Sequence, residues 1–249
     1  VGAKLGLKTS LVSAVGGDFK KSNYYEIMES LDVNTDSLII VPGETSPTAF
    51  VLTDENDDQI SYFYWGAAKE FASSKVPTQA ISNAEAVHLA TGDPHFNWKC
   101  SEEAKKQDLL VSFDPGQDLG MYDTDKLRDV ITNTTILFGN HYEIERILES
   151  LEVDLDGLRE IGPKIIVKTC GANGSEIYSN NDKIKVDAIV REAVDPTGAG
   201  DSYRAGFLSR FLNGESLEQS AKFASSVSSF IVEEQGCQTN MPTFDDAFD

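Results

Sequence analysis

The stretch Asp195-Pro196-Thr197-Gly198-Ala199-Gly200-Asp201 carries residue types that suit phosphoryl transfer. Pro196 fixes its own backbone, while Gly198 and Gly200 permit conformations and close approaches that a side chain forbids, so the stretch begins as a turn. From Ala199 onward, Tyr203, Phe207, Leu208, Phe211 and Leu212 recur at helical spacing, which predicts a helix with one buried face. Gly206 in its middle implies close backbone packing. The first N–H groups of that helix, from about Gly198 to Asp201, lie at a positive helix end that binds an anion without a lysine. Asp201 sits in the same first turn. A carboxylate is a poor neighbour for a phosphate unless it has other work, and the natural work is to accept the proton of a hydroxyl that attacks phosphorus. Taken alone, any Gly-x-Gly-Asp is as well explained by a turn with a helix-favouring acid after it.

The elements that must position these residues are legible as alternating runs. Residues 86–91, 109–113, 135–138 and 165–168 are continuous apolar segments of the kind buried in a parallel sheet. Helical patterns at 96–106, 124–132, 142–151 and 155–161 separate or follow them, and another spans 217–232, where Ala221, Ala224, Ser225 and Ser228 suit tight packing. The fold class is α/β, a three-layer α/β/α sandwich. Ligands in such sheets sit beyond the carboxyl ends of the strands, which directs attention to residues 92–95, 114–117, 140–143 and 169–174. Asn140 and Glu143 have the spacing of a capping box. The segment from Thr169 to Gly174, with Gly171 inside it, reads as a turn into a further strand.

The amino-terminal part differs. Val1 to Leu7 reads as the end of a helix, 11–15 as a strand leading into Gly16-Gly17-Asp18, and 20–31 as a helix. Three β runs then follow without a helix, at 38–41, 48–53 and 60–64, with an acidic turn at 54–58. They predict an antiparallel patch, an edge extension or a lid over 37–66.

The 249 residues carry a formal charge of −20. Such a balance argues against nucleic acid or an anionic membrane as a partner, and it leaves backbone N–H groups and bound cations to create positive potential for a phosphate. Cys100, Cys170 and Cys237 are an odd number without zinc spacing, which points to a reducing compartment. No apolar run reaches membrane-spanning length and no leader is visible, so a cytoplasmic protein is expected. P-loop, dinucleotide, protein-kinase and α/β-hydrolase motifs are absent.

The run Asp195 to Leu208, in the form D-P-T-G-A-G-D followed by three residues and A-G-F-L, resembles the second signature of the PfkB, or ribokinase-like, family of sugar and nucleoside kinases. Gly6, Gly16 and Val15-Gly16-Gly17-Asp18 resemble the tail of the first signature, whose head, with the first strand, would precede Val1. The resemblance covers the whole chain as one kinase domain with a small β lid at 37–66. It implies that Asp201 is the catalytic base and that Gly198, Ala199 and Gly200 form the anion hole. Asp195 and Thr197 match positions that help hold K+ in many members. Asn140 and Glu143 match the N-x-x-E motif that organises Mg2+, often through water, and magnesium suits such oxygen donors. Thr169, Gly171 and Gly174 resemble the T-x-G-x-x-G loop along the ATP phosphates and ribose. Gly236 lies where members complete the adenine pocket, and Asp114 in Asp114-Pro115-Gly116 is a further candidate for phosphate or metal organisation. Trp65 and Gly66, after the lid, become acceptor contacts, and homodimers through the lid are common in the family.

Tyr203-Arg204-Ala205-Gly206 and Tyr64-Trp65-Gly66-Ala67 look more like the nucleoside-kinase branch than ribokinase. The expected reaction is transfer of the γ-phosphoryl of ATP to the 5′-hydroxyl of an adenosine-like nucleoside. A sugar kinase is the second reading; a non-catalytic nucleotide-binding protein and a ribokinase-fold lyase are further alternatives.

Overall fold

The structure is a computed structural model and describes residues 1–53, 59–179 and 182–248. Its chain divides into two compact units, Thr9–Ala80 and the remainder, Val1–Lys8 with Ile81–Asp249. In the Thr9–Ala80 unit the apolar run before Gly16 provides β1 (Ala14–Gly16). The helical pattern that follows provides α1 (Asn23–Ser30), capped by Ser22, whose side chain accepts the Tyr25 N–H. β2 (Ile39–Val41) pairs in parallel with β1, Ala14 opposite Ile39. This corrects the expectation that the run at 38–41 joins an antiparallel patch. A helix between two strands is a crossover, and a crossover brings the second strand back parallel to the first. Of the three runs expected to form that patch, β3 (Thr48–Thr53) and β4 (Gln59–Tyr64) alone pair antiparallel, with Phe50 opposite Tyr62 and Leu52 opposite Ile60. The acidic turn expected at 54–58 lies outside the described residues. A short α2 (Thr78–Ser82) begins in this unit, which ends at Ala80.

The larger unit builds on β5 (Ala86–Leu89), α3 (Pro94–Lys106), β6 (Leu110–Phe113), α4 (Thr124–Asn133), β7 (Ile136–Asn140), α5 (His141–Leu151), α6 (Leu155–Ile161) and β8 (Ile165–Thr169). Two further strands, β9 (Ser175–Ser179) and β10 (Asp182–Val186), precede α7 (Ala199–Phe211), α8 (Leu217–Ile231) and α9 (Phe244–Phe248). One six-stranded sheet runs in the order β5-β6-β7-β8-β9-β10, parallel as far as β8 and antiparallel beyond it. Successive strand residues face opposite sides. Ile136, Phe138, Ile165, Val167 and Ile177 accordingly pack with Tyr203 and Phe207 of α7 and Ala221 and Ala224 of α8. Leu137 and Ile166 point the other way and are fully buried, on the side where α5 meets β7 and β8. Helices thus cover both faces, the three-layer α/β/α arrangement. Gly206 allows the α7–α8 contact, since a Cβ there would lie 3.0 Å from the Ala224 Cα.

Val1 to Leu7 close as the end of a helix does: Gly6, at φ +92°, donates to Ala3 O and Leu7 donates to Gly2 O, both at 3.0 Å.

Candidate active site

The amino end of α7 is shaped by a glycine that nothing else could replace. Gly198 is its N-cap at φ 85°, in the left-handed region, and a Cβ there would come within 2.4 Å of the Cys237 Cβ. Ser202 ties the first turn down, its N–H and hydroxyl both donating to Gly198 O at 2.9 and 2.7 Å. The Ala199 N–H turns back to Pro196 O at 3.2 Å. Among the described residues the N–H groups of Gly198, Gly200 and Asp201 have no acceptor. Those three, rather than Ala199, are the donors available to an anion. A Cβ at Gly200 would find only Arg204 Nη1, at 3.9 Å, so glycine here keeps the space over the helix end open.

Asp195 anchors the turn that leads in. Its Oδ1 accepts the Thr197 N–H and its Oδ2 the Gly236 N–H, both at 2.9 Å. Hydrogen bonds from the Thr197 side chain and from the Gly236 and Thr197 N–H groups hold this carboxyl below its usual range. The contact joins the turn to the loop after α8, where Gly236 has φ 96°.

Asp201 itself is 72% exposed, and its Oδ1 accepts from Nη2 of Arg204, one turn along α7. The other arm of Arg204, Nη1, donates to Oδ2 of Asp114, which lies at the end of β6 and is only 4% exposed. Burial pushes the Asp114 carboxyl up, against the pull of Arg204. Beside them Asn140 and Glu143 form the expected capping box: Asn140 Oδ1 accepts the Glu143 N–H at 2.9 Å, and Glu143 Oε2 accepts the Asn140 N–H at 2.7 Å. Burial also raises the Glu143 pKa, with Asp114 adding to the rise.

Asp114, Asn140, Glu143, Thr169, Gly200 and Arg204 line one cavity of about 120 Å³. That is room for several waters. The cavity therefore unites residues expected from four separate sequence stretches. Among the expected residues of the larger unit, Asp195, Thr197, Gly198, Ala199, Asp201, Gly171, Gly174 and Gly236 do not line it. Gly171 and Gly174 shape the turn from β8 to β9 at φ 55° and 82°, and a Cβ on Gly174 would collide with Val186 O at 2.0 Å. Trp65 and Gly66 belong to the Thr9–Ala80 unit, where Trp65 meets Phe63 edge to face at 5.1 Å and Gly66 adopts φ 45°. At 92–95 the chemistry serves the fold, Asp93 capping α3 through the Phe96 N–H. The ion pairs of Arg204 went unread in the sequence, although its i,i+3 spacing from Asp201 was a signal for one of them.

Comparison with known proteins gives a consistent picture. The model of the pfkB family of carbohydrate kinases matches residues 1–244. A nucleoside kinase of Methanothermobacter thermautotrophicus is 58% identical over 242 residues, 97% of this chain and 78% of that protein. A nucleoside kinase of Methanocaldococcus jannaschii is 44% identical over 97% of this chain and 79% of its own length. The crystal structure of a nucleoside kinase from that organism, an archaeal member of the ribokinase family, superimposes with a TM-score of 0.94, covering 99% of this chain and 81% of the other.

Proposed function

Since the chain belongs to the pfkB family of carbohydrate kinases, we propose that it is a nucleoside kinase that moves the γ-phosphoryl of ATP to the 5′-hydroxyl of an adenosine-like nucleoside, with Asp201 as the base. The observation that carries the reading is the exposed Asp201 carboxylate in the first turn of α7, among three N–H groups without acceptors, those of Gly198, Gly200 and Asp201 itself, in a chain 58% identical to a nucleoside kinase. Asp201 takes the proton late, as the new bond to phosphorus forms, because an alcohol is far less acidic than a carboxylic acid. The Gly200 and Asp201 N–H groups carry charge on the transferring group, and Gly198 holds the turn that aims them. Thr169, Gly171, Gly174 and Gly236 line the path of the nucleotide.

The donor set suits magnesium. The carboxylate of Glu143 and the amide of Asn140 bring oxygen to one cavity, and with Glu143 Oε2 and Asn140 Oδ1 engaged in the cap, Asn140 and Glu143 act through retained water; both oxygens of Asp114 are taken by Gly116 and Arg204. Magnesium held there by Asn140 and Glu143 would supply positive charge against the phosphates. Asp195 and Thr197 are the proposed potassium ligands, supported by an Asp195 carboxylate that hydrogen bonds keep ionised.

A second copy of the chain is the proposed partner of the β3–β4 hairpin. Phe50, Leu52, Ile60 and Tyr62 share one of its faces and are 59–63% exposed, a patch that an isolated chain rarely leaves to water. The three unpaired cysteines accord with a cytosolic setting.

The test is ADP release with ATP and magnesium across nucleosides and simple sugars, in potassium and in sodium, with the phosphorylated position read by NMR. Nucleoside 5′-monophosphates are the expected products. Turnover with sugars alone would replace the nucleoside reading, and equal rates in both salts would remove the potassium site.

A further inference from the structure

Asp201, as the base of the reaction proposed above, faces a mechanical difficulty. It is the most exposed carboxylate of the site, on the first turn of a helix, and a free aspartate there samples several rotamers. One chain of contacts resolves it. The Gly116 N–H donates to Asp114 Oδ1 at 2.9 Å, Asp114 Oδ2 accepts from Arg204 Nη1, and Arg204 Nη2 donates to Asp201 Oδ1. The relay starts at a nearly inaccessible carboxylate on the sheet and ends at the reacting group on α7, spanning 90 positions of sequence between Asp114 and Arg204.

We propose that Arg204, braced by Asp114, is the positioning residue that holds Asp201 in its working rotamer, leaving Oδ2 for the acceptor hydroxyl. A guanidinium can do this because its planar fork offers two donors to two carboxylates at once; an ammonium has the charge without the fork. Asp114 has a distinct part. Without it, Arg204 would be fixed only by the carboxylate it is meant to fix.

The proposal rests on the kinase reading, and its test separates the two. Steady-state kinetics and crystal structures are compared for the wild type, Arg204→Met, Arg204→Lys, Asp114→Asn and the Arg204→Met/Asp114→Asn double variant, with Tm measured for each. A displaced base lowers kcat by about ten- to a hundredfold, with KM for ATP and nucleoside within about twofold of wild type, and the double variant loses no more than Arg204→Met alone. Arg204→Lys, which folds with the charge retained, regains less than half of the loss on a logarithmic scale. In the crystal, Asp201 leaves its wild-type rotamer in Arg204→Met. A wrong kinase reading would abolish wild-type turnover of nucleosides yet preserve this crystallographic change. An unmoved Asp201, losses in kcat that track Tm, or a rise in KM for ATP as large as the fall in kcat would overturn the positioning role.

Discussion

Asn140 and Glu143 close the capping box and are the proposed magnesium residues, and substitution can separate the two roles. Both atoms that close the capping box are oxygens accepting backbone N–H groups. Asn140→Ala removes an acceptor and is expected to cost about 1 kcal/mol of stability, read by urea unfolding. Glu143→Gln keeps an oxygen for the cap but loses the charge, so its unfolding midpoint should stay near that of wild type while the magnesium concentration for half-maximal rate rises several-fold. A midpoint that falls without any change in the magnesium requirement would leave Glu143 as a cap alone. At this scale the sequence was informative where function and local geometry coincide: the Asn140/Glu143 spacing and the glycines around Asp201 are local patterns. It was silent on Asp114 and Arg204 as a pair, because only the closure of β6 beside α7 brings them together.

The strands and helices set limits of their own. Gly206 faces Ala224 and Val227 with a Cβ position 3.0–3.1 Å from their atoms, so Gly206→Val should overpack the α7–α8 contact and cost about 1–3 kcal/mol; a denaturation curve that superimposes on wild type would contradict this packing. On the antiparallel edge, Glu176 of β9 takes Lys168 Nζ at 2.8 Å and Lys183 Nζ at 2.7 Å, and the Tyr178 hydroxyl at 2.6 Å. The lysines, Lys168 first, hold its carboxyl down at about 2. A carboxyl depressed on folding contributes stability above its unfolded value, 4.5, and loses it as pH falls towards about 2. Glu176→Gln should therefore lose less stability than wild type over that interval; parallel curves would mean the cluster is not ionic. The central strands were readable because buried parallel strands are continuous apolar runs. β10, Asp182–Val186, was passed over because an edge strand alternates lysine with apolar residues and borrows its regularity from β9. The pairing of β2 was misjudged for the opposite reason: its strand pattern was plain, but the helix before it decided its partner.

For the molecule as a whole, charge is the dominant quantity. A net −20 spread over one chain repels itself, and salt screens that repulsion over a Debye length of about 10 Å at 0.1 M. Raising sodium chloride from about 10 mM to about 0.5 M should increase Tm, measured without nucleotide so that binding does not contribute; a fall would show that specific ion pairs outweigh the overall repulsion. Among the described residues no helix is long and apolar enough to cross a membrane. The α/β/α order of layers was legible in the chain because each layer writes its own period. The claim on which the rest depends is that Asp201 removes the acceptor proton. Its most direct test is ADP formation by Asp201→Asn with saturating ATP, magnesium and nucleoside, alongside ATP affinity measured by calorimetry. The account predicts a loss of at least about a hundredfold in rate with ATP binding within a few-fold of wild type. Turnover near the wild-type rate would contradict it.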